Sequence, residues 1–554
     1  MPTINVNKKE FMKLIGRKLS DEDIEEKISM MGVAVEEIKE DEIVIEVFPN
    51  RPDLLSEYGL ARAASTFLGT SKGLKKYNLN KSNYVVKVEK TLENYPYAVA
   101  AVVKDLRLND EKIREIIQIQ EKLGLTFLRN RKKGGLGIYP LERIKFPVRF
   151  TTEFPEKIKY RPLEYPEVLS ANEILEKHPT GIKYKHLVQT WKKYPIFIDA
   201  KNTIISMPPI INSHDVGKIT EDTKDVFVEA TGTDFKTINT ALNILVSALA
   251  DMGGRIYSIK LIYGKKIYHV PNLEPEKIEI NINYINKKIG LELKSTEITN
   301  LLEKMGYGIK KKGKYITALI PPYRTDIIHQ IDLAEDVAIA YGYNNLKPEI
   351  PNVATIAQEN KFEVFRRKVS NILVSLGLLE THTYNLTSKE NQTSHMNTNI
   401  KCVELLNSIS EGYDVLRAWI IPTLMQILKE NKHNEYPQNI FSSGHVFKYN
   451  SENDNGVDES IRLAVVLCHS TSNFTEIKQV LDALSKALDF KYEIKEVEHN
   501  SFIQGRVGRI SVNSVDIVYI GEIHPQVLEN FTLEMPVAAL EINLTELYRL
   551  IKTT

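Results

Sequence analysis

The chain is 554 residues long, 42% hydrophobic and 26% charged, more than one hydrophobic core serves, so the expectation is an α+β multidomain chain of roughly three to five domains. Lys and Arg total 73 against 72 for Asp and Glu, a balance that excludes a general basic coat for nucleic acid and confines any RNA contact to local patches. Cys402 and Cys468 are the only cysteines, too few for a disulfide framework or a cysteine zinc site. Together with the lack of a signal-peptide core in MPTINVNKKEFMKLIG and of any apolar run near the ~18 residues of a membrane span, this sets the expectation of a cytoplasmic protein with no membrane contact.

Helices are expected near residues 8–15 and over 20–31, where Ser20 and Asp23 have the spacing of an N-cap pair. Two short strands follow, VAVEEIKE and DEIVIEVF, the second alternating Ile43, Ile45 and Val47 on one face. FPNRPDLLSEYGLARAASTFLG then opens as a rigid turn and becomes helical, so residues 1–83 read as a small N-terminal α+β module. Over 84–262, β-rich stretches such as YAVAAVVKDLRL and DVFVEATGTD alternate with helical ones such as EKIREIIQIQEKLG and TINTALNILVSALADMG, a second α+β domain. Short helices, a hairpin and a helix over about 331–341 make 263–346 a winged-helix-like domain. A Pro- and Asn-rich stretch marks a boundary near 347–355. The remainder, 355–554, reads as helices on an antiparallel sheet, and no repeat of solenoid period is present.

Three groups of residues invite chemistry. Asp332, Glu335 and Asp336 share a helical face and Asp326 arrives from the preceding turn. By spacing alone this is a solvated acidic face, partly balanced by Arg324 and Lys347, while an all-oxygen set also suits a hard cation such as magnesium. Asn212, Ser213, Glu229, Thr231 and Asp234 crowd between strand-like segments, either as ordinary capping and surface groups or as a pocket. Arg129, Arg131, Lys132 and Lys133 sit beside glycines in FLRNRKKGGLGIYPLER, a phosphate contact or a solvated loop. Arg51 and Arg62 read as structural ion pairs with Asp53 or Glu57, and His445 and His524 as loop histidines.

FPNRPDLLSEYGLARA at 48–63, PPIINSHDVGKITEDTKDVFVEATGTD at 208–234 and PPYRTDIIHQIDLAEDVAIAYGYNN at 321–345 resemble, in that order, the β-subunit family of phenylalanine–tRNA ligases, in its archaeal and eukaryotic form. The resemblance implies that Asp326, Asp332, Glu335 and Asp336 hold magnesium near a catalytic partner. It also implies that 84–262 is an editing domain, with Glu229 reading a phenol or orienting water and Asn212, Ser213, Thr231 and Asp234 lining its pocket. Arg129, Arg131, Lys132 and Lys133 would then meet the acceptor end of tRNA. Such a pocket has a physical reason to exist, because an apolar phenylalanine cavity rejects an added hydroxyl by only about 10²-fold, and hydrolysis of Tyr-tRNA(Phe) at a second site restores fidelity.

The last domain resembles a class II synthetase core without its chemistry. LRAWIIP has Arg417 but no acidic residue two positions on, and GRVGRI only loosely matches the Gly-rich strand that ends in an ATP-binding arginine, so Arg417 and Arg509 read as structural or interface groups. Attachment of phenylalanine to tRNA(Phe) with ATP is thus expected from a smaller α subunit, in a heterotetramer of two α and two β chains. The alternatives are a scaffold that binds tRNA without editing and a free-standing aminoacyl-tRNA deacylase.

Overall fold

The structure is a computed structural model that describes residues 2–312, 315–410 and 412–552. It divides into two compact units, Met1–Ile350 and Pro351–Thr554. The first unit begins with a strand, Thr3–Asn7, followed by helices Lys8–Ile15 and Asp21–Ser29, the hairpin Ala34–Ile38 and Glu42–Glu46, and the helix Glu57–Phe67. Asn7 caps the first helix by accepting from the amides of Lys9 and Glu10, and Gly16 ends it in the left-handed region. The opening strand completes a three-stranded antiparallel sheet by pairing Ile4 with Ile45 and Val6 with Ile43. Its alternating Ile4 and Val6 were too short a pattern to announce it.

The middle of this unit holds a five-stranded and a seven-stranded sheet. In the former, Val226–Gly232 lies antiparallel between Tyr97–Lys104 and Gly134–Pro140. The helices Asp110–Leu125 and Phe235–Asp251 contribute Ile116, Ile119, Leu242 and Leu245 to its core. A separate apolar cluster around Ile158, Ile174, Leu175 and Val188 supports two short helices, Ala171–Lys177 and Pro179–Tyr184.

The unit ends on a second small module: strand Glu276–Ile280, helices Ile282–Ile289 and Ser295–Lys304, a hairpin of Gly308–Lys312 and Tyr315–Ile320, and helix Gln330–Tyr341. This is the element order of the first module, with the same sheet order in which the hairpin's second strand lies in the middle. At a constant shift of numbering Asn7 corresponds to the capping Asn281, Gly16 to the left-handed Gly290, and Gly32 to Gly306. Past a hairpin one residue shorter, Pro49, Arg51 and Asp53 correspond to Pro322, Arg324 and Asp326, and Leu60 and Ala61 to the buried Leu333 and Ala334. The module is duplicated, and its copies are not tandem, which hid it from a search for short periods.

The second unit is built on a seven-stranded sheet, antiparallel except for the edge strand Leu379–Glu380, with a small three-stranded sheet besides. Alternate residues of Val457–Cys468 enter two different cores: Leu463, Val465 and Leu467 face helices Lys361–Ser375 and Phe474–Leu488, while Ala464, Val466 and Cys468 face helices Ile421–Asn431 and Pro525–Asn530. His445 lies in the strand Gln438–Tyr449, which corrects its reading as a loop residue. His524 precedes Pro525–Asn530 and caps it through the amide of Gln526. Arg417 is structural: it is buried and donates to His445 O and Thr383 Oγ1, both at 2.7 Å. Among the described residues no helix is long and apolar enough to cross a membrane.

Candidate functional site

A cleft of about 750 Å³ opens between the helix Asp110–Leu125, the strand Gly134–Pro140, the turn after Tyr160 and the segment Pro208–Asn212. Its wall mixes apolar groups (Ile117, Leu136, Pro209, Ile210) with Asn212 and Glu229. Strand geometry places the polar groups. Glu229 and Thr231 point to the same side of the central strand, and the residues opposite them on the flanking strands are Gly137 and Ala100, then Gly135 and Ala98. Small residues on both sides leave a bay above the sheet in which a long side chain lies flat.

Glu229 occupies that bay, 2% exposed. Its Oε1 lies 3.0 Å from the hydroxyl of Tyr139, which also reaches Asn212 Oδ1 at 2.9 Å. Its Oε2 is buried without a hydrogen-bond partner. Burial pushes the carboxyl up to about 8, against the smaller opposing effect of the Tyr139 hydrogen bond, so Glu229 is largely neutral at pH 7. His178 also lines the cleft, but both ring nitrogens are engaged, Nε2 with Leu163 O at 3.0 Å and Nδ1 accepting from the Thr180 amide at 3.1 Å. That fixes its proton on Nε2.

Of the five pocket residues expected from the sequence, Glu229 and Asn212 meet in the cleft. Thr231 is fully buried beneath it and hydrogen-bonds Tyr95 at 3.0 Å. Ser213 and Asp234 do not line the cleft. Ser213 is 2% exposed and its amide closes a turn onto Ile205 O, while Asp234 caps the helix Phe235–Asp251 through the Thr237 amide, which holds its carboxyl below the usual range. Sequence reading missed Tyr139 and His178. Glycines at every second position before Tyr139 in GGLGIY were the available signal, since glycine inside a strand marks close approach of other groups.

The basic quartet also separates. Arg129 and Lys132 are exposed and Lys133 half-buried, but Arg131 is a wall residue. Three successive left-handed residues, Arg129, Asn130 and Arg131, turn its guanidinium inward. There it donates to Pro209 O and Ile210 O and stacks 4.4 Å over the Tyr184 ring. The carbonyls of the 208–210 turn thus hold it in a structural contact.

The four acidic residues expected to hold magnesium are likewise largely engaged within the chain. Arg324 grips both oxygens of Asp326, at 2.8 and 2.6 Å, and also Asp336 Oδ2 at 2.9 Å, to which Tyr307 donates as well. Asp332 Oδ2 accepts from the amides of Ile328 and His329 at the start of its helix. Glu335 is raised by partial burial and by the neighbouring Asp336, Asp332 and Asp326. Among the described residues no three His, Cys, Asp or Glu side chains are gathered as a ready-made ion site, so these carboxylates form no preformed magnesium site in the chain by itself. The sequence offered Arg324 as a partial balance to this face; the structure puts it in direct contact with Asp326 and Asp336. The same geometry recurs at Arg51, whose Nε and Nη2 bind Asp53 at 2.9 and 2.8 Å. Arg62 pairs with Asp251 rather than Asp53 or Glu57.

Comparison with known proteins places this architecture. Residues 1–70 match the Phe-tRNA synthetase beta subunit B1 domain, 278–343 the tRNA synthetase B5 domain, and 346–544 the phenylalanyl tRNA synthetase beta chain CLM domain. The phenylalanine–tRNA ligase beta subunit of Pyrococcus horikoshii is 42% identical over 556 residues, covering 99% of this chain and 100% of that protein. That of Archaeoglobus fulgidus is 36% identical, covering 99% of each. The crystal structure of an N-terminal fragment of the Pyrococcus horikoshii beta subunit is similar with a TM-score of 0.60 and 39% identity, covering 61% of this chain and 99% of the fragment. The chain belongs to the phenylalanine–tRNA ligase beta-subunit family, a family of aminoacyl-tRNA synthetase subunits.

Proposed function

We propose that this chain serves in the cytoplasm as the β half of a phenylalanine–tRNA ligase and that its cleft removes tyrosine from mischarged tRNA(Phe). A smaller α subunit activates phenylalanine with ATP and charges the tRNA, and two of each chain assemble. The observation that carries the editing reading is that Glu229, which lines a cleft of about 750 Å³, buries its Oε2 without a hydrogen-bond partner. A buried oxygen of this kind rewards a ligand that brings a hydroxyl and penalises one that does not. The tyrosyl phenol hydrogen-bonds to it, and the ester bond lies toward the cleft mouth, where Arg129, Lys132 and Lys133 meet the acceptor-end phosphates. Glu229 is neutral and His178 has no free nitrogen, so neither is a strong base. The cleft works by selecting the ester and orienting water rather than by forceful proton abstraction.

Assembly is supported by the second unit, where the apolar side chains of Leu376, Leu379, Tyr384, Leu406 and Ile409 are exposed and a partner surface would cover them. Arg417, committed to His445 O and Thr383, is not available to clamp ATP phosphates, in keeping with synthesis on the α subunit.

The test is hydrolysis of preformed Tyr-tRNA(Phe) and Phe-tRNA(Phe) by the assembled complex, with the natural chain or Glu229→Ala. The expected outcome is a loss of Tyr-tRNA(Phe) cleavage of roughly tenfold or more in the variant. No cleavage by the natural complex leaves a tRNA-binding scaffold. Equal cleavage by both puts the site elsewhere, and full activity without the α subunit makes the chain a free-standing deacylase.

A further inference from the structure

We propose that Tyr139 is the positioning residue of the cleft, pinning one oxygen of Glu229 and so committing the other to the hydroxyl of the ligand. The inference rests on the editing reading and adds to it the group that sets discrimination.

Tyr139 is fully buried, its ring packed against Phe227, and its hydroxyl sits between Glu229 Oε1 at 3.0 Å and Asn212 Oδ1 at 2.9 Å. A phenol has one proton, so it donates to only one of these oxygens. If Glu229 is neutral, its Oε1–H donates to Tyr139, and Tyr139 donates on to Asn212. If the amide is turned, Asn212 donates to Tyr139, and Tyr139 donates to Oε1. In both arrangements Oε1 is spent and Oε2 has no partner in the chain: it is an acceptor in the first, and in the second, with Glu229 neutral, it carries the proton and donates, and a ligand hydroxyl can meet either. A ligand hydroxyl fills that vacancy. The bare ring of a phenylalanyl ester leaves it unpaired, which is the costly case.

The arrangement depends on a notch in the neighbouring strand. A methyl at Gly137 would lie 2.1 Å from the Tyr139 hydroxyl oxygen and 2.6 Å from Glu229 Oε1, so only glycine lets the two meet. Gly137 has an ordinary negative-φ backbone; its role is close approach, not a turn. Without the Tyr139 hydroxyl the carboxyl is free to rotate, and neither oxygen is held toward the ligand.

Tyr139→Phe in the assembled complex is the direct test, with Gly137→Ala as a second variant that disturbs the same contact from two residues earlier on the same strand. For Tyr139→Phe, kcat/KM for Tyr-tRNA(Phe) hydrolysis is expected to fall about tenfold. Most of that loss should lie in KM, with slow Phe-tRNA(Phe) hydrolysis unchanged, so discrimination narrows by the same factor. A readout independent of turnover is the titration of the Glu229 carboxyl by pH-difference infrared spectroscopy, with Glu229→Gln as the blank. Losing the hydroxyl moves its midpoint upward, because the Tyr139 bond lowers it. An unmoved midpoint with unchanged discrimination overturns the assignment. If the natural complex cleaves neither ester, the editing reading falls, and the titration alone decides whether Tyr139 positions Glu229.

Discussion

Arg324 shows what a buried charge requires in this chain. Its side chain is 1% exposed and satisfies Asp326 and Asp336 together, so Arg324→Met strands two carboxylates in a low-dielectric interior. The expected cost is about 3–5 kcal/mol, seen as an earlier first transition in urea unfolding. Arg324→Lys is expected to recover only part of it, since an ammonium cannot bind both oxygens of Asp326 in the fork geometry. A second buried pair gives a pH signature. Glu57 and Glu115 are each raised to about 7, chiefly by burial, and the Glu57 amide donates to Glu115 Oε1. The folded state keeps protons there that the unfolded chain loses near 4.5, so this stability is complete at low pH and is lost as pH rises through 7. Each group accounts for about 1.4 kcal/mol per pH unit within that window. Thermal scans at pH 5.5 and 8 are expected to show a lower midpoint at pH 8, and Glu57→Gln to shrink the difference. At this scale the sequence disclosed what is local: the Arg51–Asp53 pair follows from adjacent positions. Arg62 was unreadable because Asp251 lies 189 residues away.

Elements were legible where their periodicity was long and unbroken, as in the helices Asp110–Leu125 and Phe235–Asp251. They were illegible where tertiary pairing creates the element. The strand Gly134–Pro140 is rich in a residue that disfavours strands, and it forms because Val226–Gly232 offers it a full ladder of partners. Reading it as a basic loop also hid Tyr139, and with it half of the candidate site. Helix caps provide a test of the duplicated module: Asn7→Ala and Asn281→Ala each remove a side-chain acceptor from the first turn. The expected cost is about 1 kcal/mol apiece, measured by chemical denaturation. The two losses are expected to add, because each cap serves its own helix.

Across the whole molecule, the family was legible from three ordered motifs, yet which side chains converge was not. Asp326 and Asp336 share an acidic stretch with Asp332 and Glu335, but a guanidinium from the same segment neutralises them, a contact that spacing cannot display. Chelation is therefore expected to leave the melting midpoint of the chain unchanged to within about 1 °C, since an ion that binds no preformed site stabilises nothing by mass action. A magnesium-dependent rise of several degrees in the chain alone would refute the engagement of these carboxylates described above.

The duplicated module has a consequence for how the first unit is held together. Thr325 Oγ1, in the turn of the second copy, donates to Asn50 O in the matching turn of the first, and the positive charge of Arg324 is close enough to be felt at Arg51. The matching turns of the two copies thus meet, as equivalent segments do near the axis of a two-fold interface. Here the two copies are joined by the chain between them, so their encounter happens at the effective concentration of a tether rather than of a solution. The intervening domain is in this sense a linker, and cutting it is expected to turn one folding unit into a bimolecular assembly whose stability rises with concentration.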